Sequence, residues 1–275
     1  MSKQPLVSII VPTYNSAATL EACLKSASEQ TYSNIEIIVV DNNSKDNTKE
    51  IARRYTKHVY NKGPERSWQR NYAVTKSRGE YVVIIDSDME LTPKVIEACV
   101  EEISKSQDIT GVIIPEESFG IGLWAQCKKL ERSFYIGNDA IEAARFFPKK
   151  VYEQLGGYDT NLISGEDWDL SQRAAKLGRL VRVKEFIMHN EGELELGRTL
   201  KKKFYYAQQL SSYTAKHENQ SFTTSDQGPI ARYKLFFSRP GHLFRKPLLG
   251  CAMLYMKTAE YAYGGVGILL VRSKR

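Results

Sequence analysis

The chain is 275 residues long, 42% hydrophobic and 26% charged, with a formal net charge of +7, enough for one α/β domain of about 200 residues and a smaller appendage. Its cysteines, Cys23, Cys99, Cys127 and Cys251, stand apart with no C-x-x-C and no metal-ligand spacing, which argues against a disulfide framework and for small core hydrophobes in a reducing compartment. The apolar run Ser8–Val11 is far too short for a signal-peptide core, so the expected setting is the cytosol.

In chain order, Val7 to Val11 reads as a buried strand ending at Pro12-Thr13-Tyr14-Asn15. The helix after it carries Leu20, Cys23, Leu24 and Ala27 at core-facing spacing. A second strand, Ile35 to Val40, runs into Asp41-Asn42-Asn43-Ser44-Lys45-Asp46, with Ser44 as the expected N-cap of a helix through Thr48, Ile51, Ala52 and Tyr55. Gly63-Pro64 signals a turn, and the helix beyond is expected to pack Trp68, Tyr72 and Ala73 beneath the site.

A third strand, Tyr81 to Ile85, delivers Asp86-Ser87-Asp88. Two carboxylates leaving a dry strand are costly to place unless a cation takes up their charge, and a hard divalent ion carrying a pyrophosphate fits; a solvated turn is the plainer alternative. Asp41 would face the same crevice, at the carboxyl edge where open α/β sheets bind ligands. Three strands thus bring polar residues to one edge, a nucleotide-site layout. Thr92-Pro93 reads as an N-cap and first helical residue, opening a structural helix with Val95, Ile96, Cys99, Val100 and Ile103 as its core stripe.

Beyond Ile113-Ile114-Pro115, Phe134-Tyr135, Arg145 and Phe146-Phe147 are expected in a hairpin or strand lining a pocket. Leu155 to Asp159 is a helix end and turn. Gly165-Glu166-Asp167 opens a helix running through Leu170, Ala174 and Leu177 to Gly178, where acidic residues in the first turn also suit simple capping. The strand from Leu180 to Val183 leads to Ile187-Met188-His189-Asn190.

Four motifs in this order resemble the signature of family 2 glycosyltransferases of the GT-A fold: Ser8-Ile9-Ile10-Val11-Pro12-Thr13-Tyr14-Asn15, Asp41 to Asp46, Asp86-Ser87-Asp88 and Gly165-Glu166-Asp167. The resemblance covers roughly the first 190 residues. It implies an α/β fold with a mainly parallel sheet flanked by helices. It also implies transfer of a sugar from a nucleotide donor with inversion, assisted by Mn²⁺ or Mg²⁺. Carried over by position, Pro12, Thr13, Tyr14, Asn15, Asp41, Asn43, Ser44, Asp86 and Ser87 bind the nucleotide sugar, and Arg70-Asn71 matches an Arg-Asn pair facing the donor. Asp86 and Asp88 hold the metal, with His189 as a third ligand. Asp167 is the general base that an attacking acceptor hydroxyl needs, and Glu166 positions the acceptor or the base. On the residues alone, Arg70 could equally be an ordinary surface arginine, and His189 a structural one. Processive synthases follow this helix with Q-x-x-R-W. Here Ser171-Gln172-Arg173-Ala174-Ala175 lacks the tryptophan, which favours adding a single sugar.

The charge is uneven. Residues 198–275 hold 14 Lys/Arg and 3 Asp/Glu, a net +11, together with many aromatics. No helix-turn-helix, RRM or zinc motif appears, so no nucleic-acid partner is expected. Lys201 to Tyr206 open a basic amphipathic helix. The stretch from Pro240 to Val271 is mostly apolar, interrupted by Lys257 and Glu260 and expected to break at Gly264-Gly265. Charges at the centre of a span are expensive, so interfacial helices flanked by Arg245-Lys246 and by Arg272, Lys274 and Arg275 are favoured over a crossing; a helical lid packed on the catalytic domain is the alternative.

The expected organisation is a catalytic domain over 1–197 and a membrane-facing tail over 198–275, placed at the cytoplasmic face of the cell membrane. The expected reaction moves one sugar from a UDP- or GDP-sugar to a lipid-linked, polyprenyl-type acceptor. The alternatives are a polyprenyl-phosphate sugar synthase, a nucleotidyltransferase and a non-catalytic sugar-nucleotide-binding module. The nucleotidyltransferase would want a Gly-rich basic loop that Pro12-Thr13-Tyr14-Asn15 is not.

Overall fold

The computed structural model describes residues 4–217 and 228–272, with side chains described for 4–207 and 228–268. Its elements in chain order are β1 (Val7–Thr13), α1 (Leu20–Ser28), β2 (Ile35–Asp41), α2 (Thr48–Tyr55), β3 (Val59–Asn61), α3 (Arg66–Lys76), β4 (Tyr81–Ile84), β5 (Met89–Leu91), α4 (Val95–Ile103), β6 (Ile109–Ile113) and β7 (Glu116–Ile121). There follow α5 (Gly122–Ser133), β8 (Ala144–Pro148), α6 (Lys149–Gln154), α7 (Glu166–Ala175), β9 (Arg179–Arg182), β10 (Ile187–Glu193), α8 (Leu196–His217), α9 (Pro229–Phe237), α10 (Pro240–Leu243) and α11 (Pro247–Arg272).

The contacts divide the chain into two units, and the division does not fall at residue 197. The first comprises Met1–Glu116, Ala143–Thr160 and Glu166–Asn190; the second comprises Glu117–Glu142, Asn161–Gly165 and Glu191–Arg275. The second unit takes in α5 because Cys127 and Phe134 share one apolar cluster with Phe236, Leu243, Met253 and Met256.

The first unit is built on a sheet of order β3-β2-β1-β4-β8-β6-β9. Strand β1 runs parallel to β2 and β4, β2 to β3, and β6 to β9, whereas β8 is antiparallel to both β4 and β6. This is the expected mixed, mainly parallel α/β sheet. Its central strands are covered on both faces, which is why they read as unbroken β-branched runs. Ile9, Val11 and Val39 pack with Leu20, Leu24, Val95 and Cys99 on one side. Ile10, Ile38 and Ile84 pack with Ala73, Val74, Tyr152 and Leu170 on the other. Register sets Thr13 beside Asp41 and Ile10 beside Ile84, so all three strands end at one edge. Strand β10 pairs antiparallel with β5, His189 opposite Met89; beyond Asn190 it continues into the second unit and lies beside β7.

Several local expectations are corrected. Helix α2 starts at Thr48 with Asn47 at its N-cap position, because the Ser44 hydroxyl is taken by Asp41. Helix α4 begins at Val95 rather than directly after Thr92. Phe134-Tyr135 ends helix α5 and lies in no strand, although Arg145 to Phe147 do form one. Trp68 is half exposed, and α3 instead turns Ser67, Gln69, Arg70, Ala73 and Val74 inward.

In the second unit, α11 passes through Gly264-Gly265 without a break. Packing overrides the poor helix propensity of glycine here: a Cβ at Gly267 would lie 2.8 Å from the Phe204 carbonyl of α8, so the small residues let two helices approach. Lys257 and Glu260 do not face solvent. Lys257 Nζ lies 2.5 Å from Glu131 Oε1 and 2.9 Å from Glu260 Oε2, while Lys128 Nζ lies 2.8 Å from Glu131 and 2.7 Å from Glu260. Two cations thus meet two anions, and their charge balance is what makes burial tolerable. Among the described residues no helix is long and apolar enough to cross a membrane. Lys274 and Arg275, expected to flank this helix, lie outside the described residues.

Candidate active site

The loops after β1 and β2 are tied into one scaffold. Asp41, fully buried, accepts hydrogen bonds from the Thr13 hydroxyl at 3.0 Å, from the Ser44 hydroxyl, and from the Ser44 amide at 2.8 Å. Ser44 Oγ in turn accepts from the Asn15 amide at 2.7 Å. From below, Gln69 of α3 donates to the Thr13 and Val40 carbonyls, closing the ends of both strands. Asn15 and Asn43 sit at φ +49° and +53°, left-handed backbone that asparagine tolerates better than most residues. Of the expected nucleotide-binding residues, Pro12, Thr13, Asp41 and Ser44 form the buried frame, while Tyr14, Asn15 and Asn43 face outward. Ser87 Oγ donates to Ser16 Oγ at 2.8 Å, joining the Asp86-Ser87-Asp88 turn to the first loop.

The chemistry converges on Arg70, a wholly buried side chain. Its Nη2 donates to Asp86 Oδ1 at 2.6 Å; its Nη1 donates to Asp167 Oδ1 at 3.1 Å and to Glu166 Oε1 at 3.3 Å. The guanidinium also stacks on Tyr158, 4.8 Å from the ring centroid. One fork therefore links the strand-end aspartate to the first turn of α7, a task lysine's single ammonium could not do. Arg66 adds a contact to Glu166 at 3.1 Å. Arg145 of β8 places Nη1 3.9 Å from Asp86 Oδ2 and Nη2 3.8 Å from Asp167 Oδ2. Its Nε donates to Glu116 Oε1 at 2.7 Å. Glu116 continues the chain toward His189, whose Nδ1 is 3.6 Å away and whose Nε2 is 3.5 Å from Asp88 Oδ2.

Burial by itself would raise the pKa of Asp86, but Arg70, Arg145 and Arg66 outweigh it and hold the carboxyl well below the usual range. Glu166 moves the other way: burial and the neighbouring Asp167 push it up against the pull of Arg66 and Arg70. Burial alone would weaken the charge of Arg145, yet Glu116, Asp167 and Asp86 more than restore it. The two carboxylates opening α7 also differ in access. The Asp167 side chain is 24% exposed, against 5% for Glu166. Asp167 can meet a substrate; Glu166 is packed behind it against two arginines.

A divalent cation finds two groups suited to it. Asp88 Oδ1 is buried without a hydrogen-bond partner, and the His189 imidazole lies beside the other oxygen of the same carboxylate. Among the described residues no three His, Cys, Asp or Glu converge as a complete cage, so further ligands would have to be substrate phosphate and water, as is usual for small hard ions. Asp86, expected as a second metal ligand, gives its Oδ1 to Arg70, while its Oδ2 lies 3.9 Å from Arg145 Nη1. Asn71, expected to face the donor, is turned away. Its Oδ1 accepts from Tyr152 Oη at 2.7 Å and from the Tyr158 amide at 2.9 Å, and its Nδ2 donates to the Tyr158 carbonyl at 2.8 Å. A Cβ at Gly157 would lie 2.5 Å from that Oδ1, which is why the turn carries glycine there.

The sequence does not single out Glu116, Gln69 or Arg66, and it places Arg145 no more closely than a hairpin or strand. The available signal was charge on otherwise apolar or buried-patterned segments: Glu116 directly after Ile113-Ile114-Pro115, and Arg145 before Phe146-Phe147.

Residues 8–155 match the family model described as glycosyl transferase family 2. The glycosyltransferase AglE of Haloferax volcanii is 30% identical over 220 residues, covering 74% of this chain and 72% of AglE. Against three further relatives, two of them named glycosyltransferases and one a chondroitin synthase, the chain spans 36%, 33% and 30% of the relative's length. The mannosyltransferase PcManGT of Pyrobaculum calidifontis, solved with GDP-Man and Mn²⁺, has a TM-score of 0.60 at 22% identity over 98% of this chain and 81% of that one. TarS 1–349 of S. aureus in complex with UDP-GlcNAc has a TM-score of 0.53 at 18% identity, over 98% and 92%. These structures share the expected GT-A architecture. With the family model spanning more than half the chain and AglE aligned along most of both lengths, this chain belongs to glycosyl transferase family 2 and is a nucleotide-sugar-dependent transferase.

Proposed function

We propose that the protein transfers one sugar, with inversion at the anomeric carbon, from a UDP- or GDP-sugar to a hydroxyl of a polyprenyl-linked acceptor at the cytoplasmic face of the membrane. The observation that carries this reading is the bridge from Asp86 through Arg70 to Asp167. It holds an accessible carboxylate beside the donor-side aspartate at the edge where β1, β2 and β4 end. Asp167 takes the acceptor hydroxyl's proton as that oxygen attacks, and Glu166, buried and tied to Arg66 and Arg70, fixes the turn that presents it. Arg70 and Arg145 grip both oxygens of Asp167 and limit its rotation, and Arg145 Nη1, buried without a hydrogen-bond partner, offers a donor to a substrate oxygen. Asp88 and His189 would hold the divalent cation, which when bound supplies Lewis-acid stabilisation of the leaving diphosphate. The outward Tyr14, Asn15 and Asn43 fit contacts to the nucleoside.

PcManGT was captured with GDP-Man and TarS with UDP-GlcNAc, so both donor classes belong in the test. Purified protein is screened against UDP- and GDP-sugars with Mn²⁺ or Mg²⁺, following thermal shift and release of nucleoside diphosphate. One donor class should stabilise the protein and turn over slowly in water or rapidly with a polyprenyl-linked acceptor. Release from no donor, with or without acceptor, would overturn the reading.

A further inference from the structure

The longest helix of the second unit is turned inside out with respect to charge. Between Pro247 and Ile268, α11 has two ionisable residues of permanent charge, Lys257 and Glu260, and both are buried against Lys128 and Glu131 of α5. The opposite face is exposed at Leu248, Cys251, Tyr255, Thr258, Ala262, Tyr263 and Val266. Those spacings keep to one side of a 3.6-residue helix, about 27 Å from end to end at 1.5 Å per residue. Leu248 is 88% and Tyr255 62% exposed. Single exposed apolar side chains are ordinary; a five-turn stripe without one charge, on a stretch from Pro247 to Ile268 that buries both of its charges, is not.

What adjoins the stripe indicates its occupant. Ile230, Phe237 and Phe244, on and beside α9 and α10, are also exposed, and among them stand the exposed cations Lys234, Arg239, Arg245 and Lys246. The described part of this region has no exposed acidic residue between Gly228 and Ile268, since Glu260 is buried. Apolar and aromatic side chains rimmed by Lys and Arg complement the acyl boundary and anionic headgroups of a bilayer. We infer that the exposed face of α11, with α9 and α10, lies in the interface of an anionic lipid membrane. Leu248, Tyr255, Tyr263 and Val266 enter the acyl boundary, and Arg245 and Lys246 pair with headgroup phosphates. The ion-paired tetrad gives the helix its rotation: with Lys257 and Glu260 held inward, the lipid-facing side stays free of charge. The inference agrees with a lipid-borne acceptor but rests on the second unit alone.

The test is flotation of the full chain with phosphatidylcholine vesicles, with and without phosphatidylglycerol, alongside sedimentation velocity in the absence of lipid. Neither arm needs donor or acceptor, so failure here is separable from failure of the proposed reaction. The wild type should float with anionic vesicles, and high salt should weaken binding without abolishing it. Leu248→Glu and Tyr255→Glu should each lower partitioning by about tenfold, since the stripe itself is lost to the interface, with Leu248→Glu, at the most exposed position, keeping the wild-type melting transition. Arg245→Glu with Lys246→Glu should reduce binding to anionic vesicles and leave the weak binding to neutral ones unchanged. Stripe variants that float as well as the wild type would overturn the inference. So would a lipid-free dimer that Tyr255→Glu dissociates in a chain that binds no vesicles, which would assign the face to a second copy.

Discussion

Replacing Arg70 by Met keeps the bulk of the side chain and removes the charge that three carboxylates share. Asp86, Asp167 and Glu166 lie 2.6, 3.1 and 3.3 Å from the guanidinium. Breaking a buried ion pair by deleting one partner costs about 3–5 kcal/mol. Asp86 and Asp167 are 18% and 24% exposed, so water takes over part of their solvation and the expected loss is about 3 kcal/mol, the lower end of that range. For a protein of this size that is a fall in Tm of roughly 6–12 °C. In the wild type, the depressed Asp86 stabilises the fold above the unfolded carboxylate pKa of about 3.9, and this stability is lost as pH falls through the lower folded value. Without Arg70, burial and mutual repulsion raise a folded carboxyl above its unfolded pKa. The variant then gains stability as pH falls, because the folded state binds the extra proton. The deficit should be greatest near about pH 8 and should narrow toward about pH 5, where the raised carboxyls begin to protonate. Thermal unfolding followed by circular dichroism at both pH values measures it, with Arg70→Lys expected between variant and wild type. A deficit equal at the two pH values, or below about 1 kcal/mol, the scale of an exposed pair, would refute the reasoning.

Asp167→Asn should lower kcat by about 10²-fold or more with donor affinity near that of the wild type, the scale for losing a general base; Glu166→Gln should cost less, and steady-state kinetics with the donor found by the screen decides between them. Asp88→Ala and His189→Ala should each remove the Mn²⁺ dependence of nucleoside diphosphate binding in calorimetry, whereas an unchanged dependence in both would dissociate these residues from the cation. Lys257→Met alone should destabilise by about 3 kcal/mol, because it leaves Glu131 and Glu260 sharing Lys128 as their direct ion-pair partner; pairing it with Glu260→Met should recover a good part of that loss, as read from urea midpoints.

Much of the first unit was legible in the residues themselves. The interior strands of a parallel sheet are dry on both faces, so Val7 to Val11, Ile35 to Val40 and Tyr81 to Ile85 announce themselves as continuous apolar runs. Polar residues that follow such runs fall at one sheet edge, which located Asp41, Asp86 and Asp88, and the order of the motifs located Glu166 and Asp167. The partners of these carboxylates were not legible. Helix α3 mixes polar and apolar residues, and its period does not reveal that Gln69 and Arg70 point inward while Trp68 points out. That choice is made by carboxylates 16, 96 and 97 residues further along the chain. The same holds for α11. Read locally, Lys257 and Glu260 interrupt an apolar segment and look solvated; in the fold they turn inward because Lys128 and Glu131 wait on α5, 126 residues before Lys257 in the case of Glu131. Local periodicity records burial against an apolar layer, since that is averaged over many neighbours. A buried charge depends on one or two specific partners, and only the tertiary structure brings those within reach.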